Sequence, residues 1–521
     1  MRPVPILLAL LLIFYTVNGL FYTCAQSITS DEGSFIHYAI RLLRGHPERT
    51  YPLRDNSKMP VSVINLIPRA VDQWLHPGLT KVDGGVSDIL AGRYITLLVS
   101  LFTILLVFKW SKELYGEHAG LFSAFLTSFC PNMIASAGLV TTDSYSVLAL
   151  LATIYCLWKF CNNPSVKFFI LFAVCIALSQ LVKQSLFHLY IICPLAIGAS
   201  WIVQRPVIRW KPVAFSGVTF ILINWLIINL GFYFHGTNTP TGNYHFISNT
   251  FQALQQRLPG WLPLPLPKDF VTGLDMAKYY DQIGGGISGV SSFGKVTIMG
   301  NSSTGGSFWY YYFVSLLFKT PVAVLIFFGW SLLLTIRRRS PETFQKNEFF
   351  LLLPVVYFLI YMSFLYNTQC GIRQIIFIYP FLYILCGCLF QYTRNIYVKS
   401  AVAVLSIYLI ISVLWYWRNY YPYTNELIGD KKMAFRYVGA SNLEFQQGNN
   451  FFLSYRRLHP ELRSVSIVPA VGTYLLNVND YMDIWNLHRY DWIVSISPSG
   501  HVAYDGLLIT VTNDDIKHLT Q

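Results

Sequence analysis

Pro3-Val4-Pro5-Ile6-Leu7-Leu8-Ala9-Leu10-Leu11-Leu12-Ile13-Phe14-Tyr15-Thr16-Val17-Asn18-Gly19-Leu20-Phe21-Tyr22 is a mostly apolar run, and Ser30-Asp31-Glu32-Gly33-Ser34-Phe35 follows close behind it. About 20 such residues in helical form cross the roughly 30 Å hydrocarbon core of a bilayer. The run has two readings, a cleaved leader or a retained span. Only Arg2 precedes it, and Ser27-Ile28-Thr29-Ser30 is a poor small-x-small cleavage site, so it is read as an anchor that stays. The acids behind it then emerge at a membrane surface.

Comparable runs recur near 89–108, 119–138, 141–160, 166–182, 185–203, 213–233, 309–335, 349–366, 372–391 and 400–417, which with the first makes eleven expected spans. Composition agrees. Of the 521 residues, 54% are hydrophobic and 12% charged, against roughly 25% charged in soluble proteins. This excludes disorder and an ordinary soluble domain. The formal charge of +13 is explained by position. Thirteen cations (Lys109, Lys112, Lys159, Lys167, Arg205, Arg209, Lys211, Arg337, Arg338, Arg339, Lys346, Arg394, Lys399) fall in alternate short loops, facing only Glu113, Glu117, Glu342 and Glu348. By the positive-inside rule those loops and the N-terminus are cytoplasmic. The charge therefore reports topology and implies no nucleic-acid partner. The last 104 residues, with nine Lys/Arg against ten Asp/Glu, are slightly acidic and fall outside.

The expected fold class is a polytopic α-helical membrane protein of about eleven transmembrane helices, with amphipathic interfacial helices and a small α/β or α+β extracytoplasmic C-terminal domain. Its transmembrane module covers 1–417, with external loops at 23–88 and 234–308, and the C-terminal domain covers 418–521. Strand-like runs stand at Val465–Pro469, Trp492–Ser497 and Leu507–Thr512, and Arg456–Leu462 reads as helical. The nine cysteines lie nearly all within spans and none in the tail, which argues against a disulfide framework or a cysteine zinc site.

Candidate site residues converge on the outer leaflet. Phe35, Tyr38, Ala39, Ile40, Leu42 and Leu43 give one apolar helical face behind Asp31-Glu32, and Met59 to Leu75 forms a second amphipathic segment after Lys58. Ser30-Asp31-Glu32 also suits a helix start, so a plain cap competes with a functional reading. Asp143, in Thr141-Thr142-Asp143, opens the fourth span. Arg93 sits one turn into the second, while Lys183 and Arg373 occupy hairpins on the same side. Ionisable residues at membrane depth are costly and call for partners or a function. Lys319 lies about ten residues into 309–335, where it either snorkels or joins these cations. A phosphate group at the membrane surface suits them, Arg as a fork and Lys as a point charge. The loop 234–308, rich in Gly and Pro, reads as a cover over a site or a connector. No phosphate-loop signature is present.

The order of Asp31-Glu32-Gly33-Ser34-Phe35, Ser57-Lys58-Met59-Pro60, Gly138-Leu139-Val140-Thr141-Thr142-Asp143, Lys319-Thr320-Pro321 and Gly371-Ile372-Arg373 resembles the C-type membrane glycosyltransferases. More narrowly it is similar to the protein O-mannosyltransferase and aminoarabinose transferase group. Tyr423–Gly429 and Ser441-Asn442-Leu443-Glu444 are similar to a tail segment of many bacterial members, with Gly429-Asp430 where Gly-Gly is usual and Glu444-Phe445 where Asp-Trp is. The resemblance implies a polyprenyl-phosphate-linked sugar donor, hexosyl or pentosyl, and a lipid, glycan or protein acceptor. Transfer would invert the sugar and take place outside the cytoplasm of a plasma (inner) membrane. It implies Asp31 as base, with Glu32 and Asp143 as the other catalytic acids. Lys58, Arg93, Lys183, Lys319 and Arg373 are the candidates for the donor phosphate. Partial desolvation is expected to raise the Asp31 pKa. No metal ligand set is implied; a divalent cation could bridge acids and phosphate, but no spacing demands one. The alternatives are a transporter or flippase of lipid-linked sugar, against which stand the missing repeat and the one-sided charges, and a non-catalytic binding protein of the same fold.

Overall fold

The computed structural model describes residues 3–49, 55, 57–77, 83–204, 210–284, 286–287, 293–391, 395–466, 468–485 and 487–520. Arg2, Arg205, Arg209, Gly285, Gly289, Arg394 and Ile467, which entered the sequence reading, lie outside them.

Helices dominate, and the eleven apolar runs are largely helical, but a count of eleven spans is not confirmed among the described residues. Among the described residues seven helices are long and apolar enough to cross a membrane: Pro3–Ala25 (α1), Val86–Tyr115, Asp143–Asn162, Gln184–Val203, Val213–Gly231, Glu348–Leu365 and Ile396–Leu414. Two bent pairs bring the number to nine if each is one span. Glu117–Ser128 turns by 65° into Pro131–Ala137, and Tyr311–Lys319 by 114° into Val322–Arg338. Both breaks hold a proline, Pro131 and Pro321, that cannot continue the preceding turn. Val166–Ser179 has 14 residues, about 21 Å of helix at 1.5 Å per residue, and Ile376–Gln391 is also short. Hydropathy counted apolar runs; length and bending decide which can span.

The bundle core packs side chains contributed by several of these helices. Trp110, fully buried, meets Tyr155 and Phe381 edge-on, and Phe122 lies against Phe327 and Phe390. Val86–Tyr115 and Glu117–Ser128 form a tight hairpin through Gly116, whose φ of +100° few other residues adopt. A Cβ on Gly120 would stand 2.7 Å from the Phe108 carbonyl oxygen. Small residues permit such close helix approach in membranes.

Two amphipathic helices follow α1, Glu32–Leu43 (α2) and Ile67–Leu75 (α3). They spend their apolar faces differently. Phe35, Ile36, Ala39 and Ile40 of α2 pack on Leu66, Ile89 and Val140, so that face is covered by protein. In α3, Ile67, Val71, Trp74 and Leu75 are exposed, the i, i+4, i+7, i+8 stripe of a helix lying on a lipid surface. Arg69 anchors it from the other face to Asp88, and to Asp83 at 2.7 Å.

The segment 234–308 is folded onto its neighbours. His235 meets Asp269 at 2.7 Å, Arg49 donates to the Asp269 carbonyl at 3.0 Å, and Asp281 accepts from the Asn367 amide at 2.8 Å. The tail carries a three-stranded antiparallel sheet, Gly472–Asn477 (β1), Gly500–Val502 (β2) and Gly506–Val511 (β3), with β3 central. β3 matches the expected strand at Leu507–Thr512. Trp492–Ser497 is not a strand: Asp491–Val494 forms a helical turn that buries Ile493. Val465, Ser466, Val468 and Pro469 are irregular.

Candidate functional site

The end of α1, the start of α2 and the heads of Val86–Tyr115 and Asp143–Asn162 meet at one end of the bundle. There the expected site residues separate into three groups.

The first is a buried clamp. Arg93 and Glu32 are both fully buried and form a bidentate pair, Nε to Oε1 at 2.8 Å and Nη2 to Oε2 at 2.6 Å. Arg93 also donates to the carbonyls of Thr23, Gln26 and Ser27, which uses all five of its donors. Glu32 further accepts from the Val140 amide and from the amide and hydroxyl of Thr29. In this conformation neither side chain presents an atom to a ligand, contrary to the expectation that Glu32 is a site acid and Arg93 a phosphate cation. The pair ties α1, α2 and the Val140 turn together directly behind Asp31.

The second is the open cluster. The helix start read at Ser30-Asp31-Glu32 is present, with Asp31 at the N-cap and Glu32 in the first turn, but the Asp31 carboxylate itself makes no capping hydrogen bond. Its Oδ2 instead accepts from Arg373 Nη1 at 3.2 Å, with the Asp31 side chain about a third exposed (34%). Lys58 is buried, donates to Ser57 Oγ at 3.2 Å and lies 3.8 Å from the Phe35 ring centre. Burial pushes the Asp31 carboxyl up, but Lys58 and Arg373 outweigh it and hold it below the ordinary carboxylate range. The expected upward shift is therefore reversed, because two cations face the acid. Burial lowers Lys58 below the usual lysine range against the pull of Asp31. Asp143, nearly buried, accepts from Lys183 Nζ at 2.8 Å, and its charge reaches Arg373. Arg373 Nε donates to the Cys370 carbonyl at 3.3 Å, and Nη2 has no hydrogen-bond partner among the described residues. Two acids and three cations from separate elements thus form one charge cluster.

The third is Lys319. It is 1% exposed and does not snorkel. Its Nζ donates to the Tyr421 carbonyl at 2.6 Å and the Asn442 carbonyl at 2.7 Å, stapling the 311–319 helix to the tail. It lines, with Arg373 and Asn442, a small cavity of ≈ 20 Å³, room for about one water.

Sequence reading missed what the tail brings. Phe445 lies under the Arg373 guanidinium at 4.2 Å and stacks on Tyr421, and the Ser27 amide donates to the Gln447 carbonyl at 3.0 Å. The described residues offer one group of three ligand residues close enough for one ion, Asp483, His488 and Asp491. It lies in the tail, where Asp483 is engaged by Lys295 and the Leu487 amide.

Residues 70–228 match the family profile described as dolichyl-phosphate-mannose-protein mannosyltransferase. The likeness to the C-type membrane glycosyltransferases read from the motifs is thus met over that segment by an independent comparison. No curated protein matches the sequence. Among solved structures the chain is similar to ArnT from Cupriavidus metallidurans bound to undecaprenyl phosphate, at 10% identity over 98% of each chain with a TM-score of 0.46. It is also similar to the Archaeoglobus fulgidus oligosaccharyltransferase in the apo form, at 13% identity over 83% of this chain and 56% of that one, with a TM-score of 0.47.

Proposed function

We propose that the protein moves a sugar from a polyprenyl-phosphate donor to an acceptor hydroxyl at the extracytoplasmic face of a membrane, with Asp31 as the general base. The observation that carries this is the Asp31 carboxylate itself, which is not spent on capping its own helix and stands ionised, part-exposed, between Lys58 and Arg373. The match of 70–228 to a mannosyltransferase profile supports the same chemistry. The positive-inside bias of the loops supports placing this end outside the cytoplasm, with the N-terminus inside.

Glycosyl transfer needs a deprotonated nucleophile, a stabilised leaving phosphate and the two held in line. Asp31 takes the acceptor proton as the hydroxyl oxygen attacks the anomeric carbon. The bond from that carbon to the phosphate oxygen breaks on the opposite face, inverting the sugar, and the phosphate leaves with the electron pair. Arg373 supplies a forked donor and Lys58 a point charge for it. Asp143 holds Lys183 at the rim of the same cluster and balances its charge. Glu32 and Arg93 act only as the frame that fixes Asp31. The lipid chain lies along the spans, with the exposed stripe of α3 in the adjoining interface. Comparing the glycan and lipid profiles of cells carrying wild type, Asp31→Asn or no protein tests the reading. A sugar present only with wild type supports it; one equally present with Asp31→Asn would remove Asp31 as base.

A further inference from the structure

The C-terminal segment reaches the Arg373 hairpin at its most constrained point. Asn442, 1% exposed, accepts from the Ile372 amide through Oδ1 at 2.9 Å and donates through Nδ2 to the Tyr311 hydroxyl at 3.1 Å. That hydroxyl in turn accepts from the Gly371 amide at 2.9 Å. Gly371 has φ +80°, and a Cβ there would stand 2.7 Å from the Ser441 carbonyl oxygen. The backbone of 371–372 is thus fixed against 441–442. Three residues on, the Phe445 ring, itself buried, lies against the guanidinium of Arg373 and stacks on Tyr421 at 5.9 Å.

We infer that Phe445 is a positioning residue of the site: its ring holds the Arg373 guanidinium in the cluster facing Asp31, so the C-terminal segment completes the phosphate-binding wall. The inference rests on the reading that Arg373 receives the donor phosphate. An unsupported arginine side chain samples many rotamers, and a ligand that must select one of them binds more weakly. A flat ring under the planar cation restricts it and leaves its edge donors outward, and the contact is strongest where water is excluded. Asp31 meets one nitrogen at 3.2 Å and is part-exposed, and the Cys370 carbonyl takes Nε at 3.3 Å; these edge contacts leave the face of the guanidinium to the ring. This gives the tail a task that its packing with Lys319 does not explain.

Farnesyl phosphate, a soluble polyprenyl monophosphate, is the probe, titrated into the purified full-length protein. Phe445→Leu is expected to weaken its binding about tenfold, while Phe445→Trp, which keeps a ring face, stays within about threefold of wild type. In an Arg373→Lys background Phe445→Leu is expected to cost less than about threefold more, because the planar cation it positions is gone. A packing defect would instead add in full in both backgrounds. Phe445→Met, close in bulk and without a ring, is read the same way if the leucine variant loses its thermal transition. Wild-type affinity in Phe445→Leu and Phe445→Met, with binding lost in Arg373→Ala, would overturn the positioning role and leave the phosphate reading standing. Undiminished binding in Arg373→Ala would overturn the phosphate reading and this inference together.

Discussion

Replacing Asp31 by Asn removes one proton acceptor and almost nothing else. The side chain keeps its size, and the frame behind it, Glu32 with Arg93, has no hydrogen bond to it. The interactions lost are the attraction of buried Lys58 and the contact with Arg373 at 3.2 Å, the latter between side chains 34% and 23% exposed. Pairs this exposed contribute about 0–1 kcal/mol to stability. In a protein of 521 residues that pair moves the thermal midpoint by no more than about 2 °C, and Lys58, buried without its facing carboxylate, adds to it. The rate effect is of another order: a positioned general base contributes about 10²- to 10⁴-fold, or roughly 3–5 kcal/mol of barrier. Asp31→Asn should thus give normal yield, a near-normal melting curve and normal farnesyl phosphate binding, with turnover down by at least about 100-fold. Release of free polyprenyl phosphate from a labelled donor, measured in single turnover, isolates the chemical step. Turnover within about threefold of wild type would refute the role of Asp31, however well the variant binds.

Four further outcomes follow from the same geometry. With Asp31 held below the ordinary carboxylate range, it stays ionised as pH falls until that lowered value is passed, and the stability of its ion pair, full above the unfolded value of about 3.9, is lost from there down through the lowered value. The acid limb of kcat/KM should accordingly lie below about 4; a limb near 6–7 assigned to Asp31 by its loss in Asp31→Asn would contradict the two-cation environment. Arg93→Met leaves Glu32 buried without its partner and should cost about 3–5 kcal/mol, seen as loss of folded protein on detergent extraction. Lys319→Met removes two charged hydrogen bonds to tail carbonyls, each worth about 1.5–3 kcal/mol, and should open 418–447 to protease while the spans remain protected. Burial raises Glu444 to about 7, the main opposing influence being the Gln446 amide. The stability it contributes is present below about 4.5 and lost as pH rises through about 7, so tail protease resistance should fall between pH 5 and 8, by up to about 3 kcal/mol, and much less in Glu444→Gln.

Much of the site was legible because ionisable residues beside apolar runs are scarce. Asp31, Lys58, Asp143, Lys183 and Arg373 were each conspicuous by position, and the structure gathers them in one cluster. Their partners were not legible. Arg93 and Glu32 are 61 residues apart, and no local pattern says that they consume each other rather than a ligand. Lys319 finds its acceptors 102 and 123 residues away, so hydropathy alone left only snorkelling or a ligand as readings. The helices α2 and α3 show the same apolar periodicity, yet α2 covers protein and α3 faces outward; the period marks a face but not what meets it. Phe445 stood out only as the ring found where the related tail segment usually has Trp, and nothing local pairs it with Arg373, 72 residues earlier. In the tail, Trp492-Ile493-Val494 has strand composition but forms a helical turn, tertiary packing of Ile493 overriding a weak preference.

The central claim, that this cluster breaks the bond between a sugar and a polyprenyl phosphate, is tested most directly with purified wild-type protein in sealed vesicles. The vesicles are loaded with a panel of labelled polyprenyl-phosphate sugars and scored for free polyprenyl phosphate. At least one donor should yield it, only with an acceptor hydroxyl present and not with Asp31→Asn. Donor that crosses the bilayer intact, with no free polyprenyl phosphate from any member of the panel, would contradict the claim and leave a transporter of lipid-linked sugar in its place.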